Sequence, residues 1–215
     1  MEEGTAADMG QSSEDPSSAR PARRRPTRAQ TRQKVLDAAL EVFGELGIQG
    51  GSLDAVAEAG QLSKGAIYSN FASKTELVLA LVQENTLNRV GLGLEAVSHA
   101  DGPVDALTML SAAMTRALKG DQVRHRLVAE LYILAHRDPQ LAEALKVSRA
   151  EARAMGAETL RQGAALLGIT LPMPAEHLIV VLIGLHNGLA MEYGIDDGSV
   201  PDDLFASVLV PTVLR

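Results

Sequence analysis

Three serines suited to capping helix N-termini, Ser52, Ser63 and Ser73, fall within one short stretch and dictate how the chain can fold locally. After Ser52, the residues Leu53, Val56 and Ala57 recur at i, i+3 and i+4, so a short helix presents one narrow apolar face. Gly60 ends it. Ser63 opens a second short helix through Lys64, Gly65, Ala66, Ile67, Tyr68, Ser69 and Asn70, in which Leu62, Ile67 and Phe71 are the core-bound positions. The remaining positions are free to touch something else. Ser73-Lys74-Thr75-Glu76 fits the capping-box pattern, in which the serine and the glutamate satisfy each other's exposed backbone N–H groups, so a third helix starts at Lys74.

Two short helices joined by a Gly-containing turn form the unit that lays its second helix in the DNA major groove, although a pair of small-residue helices also arises from ordinary packing. The order of residues is more specific. Ser52, then Val56-Ala57, then Gly60, then Ser-Lys-Gly-x-Ile-Tyr-x-x-Phe-x-Ser-Lys-x-x-Leu resembles the DNA-binding domain of TetR-family transcriptional regulators, from about Arg28 to about Val82. The resemblance implies that Ser52, Tyr68 and Lys74 hold phosphates. It also implies that Lys64, Gly65, Ala66, Ser69 and Asn70 lie on or beside the groove-facing side of the recognition helix. Ala66 offers only a methyl to a thymine, which leaves Lys64 and Asn70 to carry hydrogen-bond readout of guanine and adenine edges. Gly51 and Gln61 depart from the commoner family residues and put local backbone contacts in doubt.

A net charge of −7 would argue against nucleic acid if it were spread evenly, but it is not. Residues 1–19 carry five acids and no base; 20–90 carry ten bases against seven acids; 91–215 carry ten bases against fifteen acids. The basic surplus coincides with the motif. Residues 1–27, rich in Ser, Pro, Ala and charge, are expected to be a disordered arm and not a signal peptide, because no apolar run follows the arginines. Arg20 to Arg28 either follow phosphates near the site or form a solvated leader.

Upstream, a helix from Arg28 to Leu46 places Val35, Ala39, Val42, Phe43 and Leu46 on one stripe, with Leu36 and Leu40 broadening it and Gly47 stopping it. In the resembled family the Thr31 end of this helix faces DNA. Downstream, a helix from Lys74 to about Ala100 joins the motif to everything after it. Gly91-Leu92-Gly93-Leu94-Glu95-Ala96 within it satisfies G-x-G-x-x-A, but a dinucleotide site needs a strand before the glycines and a helix opening at them. Helices then follow at Pro103–Lys119, Asp121–His136, Pro139–Leu167 and Pro201–Leu214, with a strongly apolar helix over Leu178 to Met191. No strand-length window alternates apolar and polar residues, so the fold class is all-α. The expected architecture is a three-helix helix-turn-helix domain over 28–74 and a helical ligand-binding and dimerisation domain over 75–215.

Leu178 to Leu185 is too short for a membrane span, and a helix apolar on all sides must be covered on all sides. In the resembled family the last two long helices form a four-helix bundle with a second subunit, which implies a homodimer interface through Leu178, Val181, Leu182, Leu185, Leu204, Phe205 and Val208. An intrachain core is the alternative. Catalytic and metal chemistry find little support: there is no Cys, no H-E-x-x-H, no G-x-S-x-G and no phosphate loop. His125 and His136, set among arginines, read as surface residues, and His186 with Asn187 as satisfied core polars. Candidate effector contacts between the later helices are Met109, Met114, Leu131, Tyr132, Met155, His186 and Met191, with a small aliphatic or amphipathic ligand favoured by the scarcity of aromatics. The resulting expectation is a cytoplasmic, cofactor-free repressor that binds a double-stranded, pseudo-palindromic operator as a dimer and is released by a small molecule. A constitutive DNA-binding or architectural protein, or a helical enzyme or carrier, remains the alternative.

Overall fold

The computed structural model describes residues 27–214, apart from the side chains of 85–90, 92–94, 96 and 97. The expected amino-terminal arm lies outside the described residues. These residues fold into helices α1 (Arg28–Gly50), α2 (Leu53–Ala59), α3 (Lys64–Tyr68), α4 (Lys74–His99), α5 (Pro103–Gly120), α6 (Gln122–Ala135), α7 (Pro139–Leu167), α8 (Ala175–Ile195) and α9 (Leu204–Val213), with no strand among them. The G-x-G-x-x-A run lies inside α4, without a strand before it.

The helix starts follow local chemistry. Ser52, Ser63 and Ser73 each accept the backbone N–H three residues on, at 3.1 Å in every case. Glu76 departs from the expected capping box: its carboxylate accepts from Ala72 N at 2.7 Å, one residue before the cap. A full capping box closes instead at the start of α1, between Thr27 and Gln30. Asp138 caps α7 through Gln140 N and Leu141 N, with Pro139 at the first helical position.

Gly47 interrupts α1 as expected, at φ 71° and ψ 169°, a region that is essentially glycine's own and costs a side-chain-bearing residue about 1–3 kcal/mol. One further helical turn follows this kink, and Glu130 of α6 reaches across to cap it. Its carboxylate accepts from Ile48 N at 2.9 Å and Gln49 N at 3.3 Å. Leu46, expected on the buried stripe, points outward one residue before this break and is exposed.

One apolar core runs without a gap from α1, α2 and α3 through the first half of α4 into α6, ending at Leu145 of α7. A second core joins Leu118 of α5 to Ala190 of α8 and Val200 and Phe205 at α9. Packing is therefore continuous across position 74, and Arg124 of α6 reinforces it by donating to Leu81 O and lying beside Glu84 on α4. At Gly156 an added Cβ would sit 2.7 Å from Ile179, so the glycine permits the close approach of α7 and α8.

Candidate nucleic-acid interface

α2 and α3 are joined by Gly60, Gln61 and Leu62. The left-handed residue of this turn is Gln61 (φ 49°), whereas Gly60 is right-handed, and a Cβ added there would crowd Leu62 at 3.0 Å and Ala38 Cβ at 3.1 Å. Gly51 has the same kind of reason: an added Cβ would lie 2.4 Å from the Phe43 ring. Both departures noted in the sequence thus have a steric or conformational place in the fold.

α3 contributes only Ile67 fully to the core, with Phe71 closing the turn after it. Lys64, Gly65, Tyr68 and Ser69 are exposed on its outer side, and Tyr68 is 55% exposed. Asn70 departs from its expected role. It is half-buried and its amide donates to Ala66 O at 2.8 Å, so it is folded back on its own helix and not extended toward a base. Ala66 is half-buried beneath it, and the Ser69 hydroxyl also donates to Ala66 O.

Lys64 is solvent-exposed but engaged: its ammonium lies 2.7 Å from Asp54 in the first turn of α2. That hydrogen bond, and the Asp54 charge, raise the lysine above its ordinary value. Lys74 is engaged more firmly. Its ammonium donates to Gly51 O at 2.5 Å and Gln49 O at 3.2 Å, and lies 5.8 Å from the centre of the Phe43 ring. It therefore ties the carbonyl end of α1 to the start of α4, a role that sequence reasoning missed. Ser52 is exposed, with its hydroxyl oxygen toward the start of α2. Two arginines fix α1 against this surface: Arg28 donates to Ser69 O at 3.4 Å, and Arg32 lies 5.1 Å over the Phe71 ring.

The residues expected around an effector are scattered. A pocket of about 220 Å³ brings together Tyr132 and Met191 with His125 and Asn187. His125, expected at the surface, is only 6% exposed, because its position on α6 turns inward while Arg124 and Arg126 flank it. Its ring centre lies 5.2 Å from that of His186, itself 1% exposed and stacked on Phe205 at 5.9 Å. Leu131 belongs to the first core, Met114 packs on the second, Met109 is half-buried, and Met155 is exposed on α7 away from this pocket.

The expected dimer residues divide as well. Leu178 and Phe205 are buried in the chain's own packing and offer no surface to a partner; Leu182, Leu185 and Leu204 are half-buried. Val181 and Val208 are 52% and 41% exposed, and Val180 on α8 is exposed as well. α8 is also longer than the run seen in the sequence, and with 21 residues it is long and apolar enough to cross a membrane by length and composition alone.

A turn-linked helix pair with an exposed second helix, three serine caps and a supporting α1 defines a helix-turn-helix domain of the DNA-binding kind. Residues 35–81 match the family described as bacterial regulatory proteins, tetR family, so the amino-terminal domain is similar to that family's DNA-binding domain. Over 119 residues it is 32% identical to the HTH-type transcriptional regulator UidR of Escherichia coli K12, a match covering 54% of this chain and 57% of that relative's length. In overall fold it is similar to Salmonella enterica GusR (TM-score 0.62, 23% identity, 86% of this chain and 96% of that one). It is also similar to Bacillus subtilis FadR, solved in complex with stearoyl-CoA (TM-score 0.64, 18% identity, 84% and 97%).

Proposed function

We propose that this chain is a sequence-specific transcriptional regulator that reads a pseudo-palindromic operator as a homodimer and is released from it by a small molecule. The observation that carries the reading is α3. It spends one residue on the core and holds Lys64, Gly65, Tyr68 and Ser69 outward, at a surface where α2 and α4 also begin. Helix N-termini direct unpaired N–H groups and a positive dipole end at phosphates, so these starts position the backbone while α3 enters the groove. Tyr68 and Ser52 supply phosphate contacts. Lys64 reads bases by exchanging Asp54 for a guanine edge. With Asn70 turned back on Ala66, readout falls mainly to Lys64 and to methyl and shape contacts around Gly65 and Ala66.

The partner for the outer side of α8 and α9 is a second copy of the chain. Val180 and Val181 on α8 and Val208 on α9 are exposed apolar side chains that gain by being covered, and a two-fold axis there pairs two α3 helices about 34–36 Å apart for successive major grooves. Release follows from α4 and α6: α4 begins at Lys74 on the reading head, and α6 grips both α4 through Arg124 and α1 through Glu130. A ligand held among the later helices that shifts either one moves the head. Tenfold release needs about 1.4 kcal/mol of preference for the non-binding arrangement. The pocket at His125 and Tyr132 and the stearoyl-CoA complex of the structurally similar FadR support a ligand-responsive reading. The proposed setting is the cytoplasm, with no catalytic role and no cofactor.

Selection of bound duplex from a random pool tests the proposal. An enriched two-fold motif supports it, while recovery of unenriched DNA at all salt concentrations rejects sequence-specific regulation.

A further inference from the structure

Between α6 and α7 lies a second cleft, of about 350 Å³, that is distinct in its chemistry. Tyr132 and His136 border it from α6 and its end, and Leu145, Lys146, Arg149 and Arg153 from α7. Arg149 and Arg153 stand one helical turn apart, and both are half-buried. Neither makes an ion pair among the described residues; only Lys146 does, with Glu143 at 3.2 Å. The Arg149 guanidinium instead lies 5.4 Å over the Tyr132 ring. Burial pulls Arg149 below the ordinary arginine value, and the like charge of Arg153 acts in the same direction.

Like charges at i, i+4 destabilise a helix, and partial burial removes the water that would screen them. In a chain of net charge −7, two unpaired arginines lining one cleft, with no acid in its lining, form an unexpected concentration of positive charge. We propose that this cleft binds a small organic anion, its carboxylate or phosphate oxygens held by Arg149 and Arg153 and its apolar body against Tyr132 and Leu145. Guanidinium groups suit this task because their planar forks match the oxygens of carboxylates and phosphates in pairs. The volume suits a ligand of small-molecule size. The site is separate from the pocket at His125 and Asn187, although Tyr132 borders both, so a bound anion would sit at the carboxyl-terminal end of α6, beyond the Glu130 link to α1.

Calorimetry on the full chain, free of DNA, tests this with benzoate, phenyl phosphate and the uncharged benzamide as probes, in a buffer without phosphate or sulfate. One or both anions should bind with one site per chain, with benzamide at least tenfold weaker. Arg153→Gln should weaken the anion at least tenfold while leaving the melting temperature near that of the unchanged chain. Arg149→Lys keeps the charge but loses the fork, and should weaken it less than Arg149→Gln. Benzamide binding as tightly as benzoate, unchanged affinity in Arg153→Gln and Arg149→Gln, or no binding of either anion at millimolar concentration would each overturn the proposal. None of these outcomes bears on operator binding, so the two proposals fail separately.

Discussion

Replacing Glu130 with alanine should destabilise the reading head, and the size of the effect follows from the two bonds it removes. The carboxylate accepts from Ile48 N at 2.9 Å in a part-buried setting and from Gln49 N at 3.3 Å nearer solvent. A hydrogen bond to a charged group contributes about 1.5–3 kcal/mol, and loss of a helix cap costs about 0.5–2 kcal/mol. The longer, exposed bond adds little, so Glu130→Ala should lose about 2 kcal/mol. For a chain of this length each kcal/mol moves the melting temperature by about 2–4 °C, giving a fall of about 4–8 °C by far-ultraviolet circular dichroism. Glu130→Gln keeps one acceptor oxygen but turns an amide N–H₂ toward the other donor, so its loss should be smaller. A fall under about 1 °C for Glu130→Ala would refute the argument that this side chain closes the end of α1.

Further expectations concern the same surface and its partner. Asp54→Asn releases Lys64 and removes an anion beside the phosphates, so binding to every duplex should tighten about two- to fivefold in anisotropy titrations at low salt; unchanged affinity contradicts the pairing. Lys74→Met should lower stability by about 1–2 kcal/mol through loss of its carbonyl contacts, and should reduce the salt dependence of binding by at most about one unit of slope. A lower slope at unchanged stability would show that the lysine serves DNA and not the α1–α4 junction. Val181→Glu, at an exposed position, should give folded monomers in sedimentation, whereas Leu178→Glu, buried in its own chain, should not fold; intact dimers of Val181→Glu contradict the proposed interface.

Features decided within a few residues were legible in the sequence. Ser52, Ser63 and Ser73 cap the helices they were expected to cap, Gly47 breaks α1, and the Asp138-Pro139 start and Leu167 end of α7 agree with its punctuation. What escaped depends on contacts distant in sequence. Glu130 meets Ile48 across 82 positions, and nothing in the pattern of α6 marks one carboxylate among its neighbours. His125 looked like a surface residue because arginines flank it, yet adjacent helix positions face different ways, and the one between Arg124 and Arg126 points inward. The evenly apolar α8 hid which of its sides the chain covers, since Leu178 and Val181 have the same character, yet the first is buried and the second exposed. Asn70 and Lys74 matched the family pattern in identity, but their own hydrogen bonds to Ala66, Gly51 and Gln49 give them local work that a motif does not record.

The central claim is that α3 reads bases, and parallel selection of duplexes by the unchanged chain and by Lys64→Ala tests it most directly. The unchanged chain should enrich a two-fold symmetric motif with half-sites about one helical turn apart. Lys64→Ala should enrich a motif altered at the same position in each half-site, with the symmetry and spacing kept. Identical motifs from both proteins, or a motif lacking two-fold symmetry, would contradict the account.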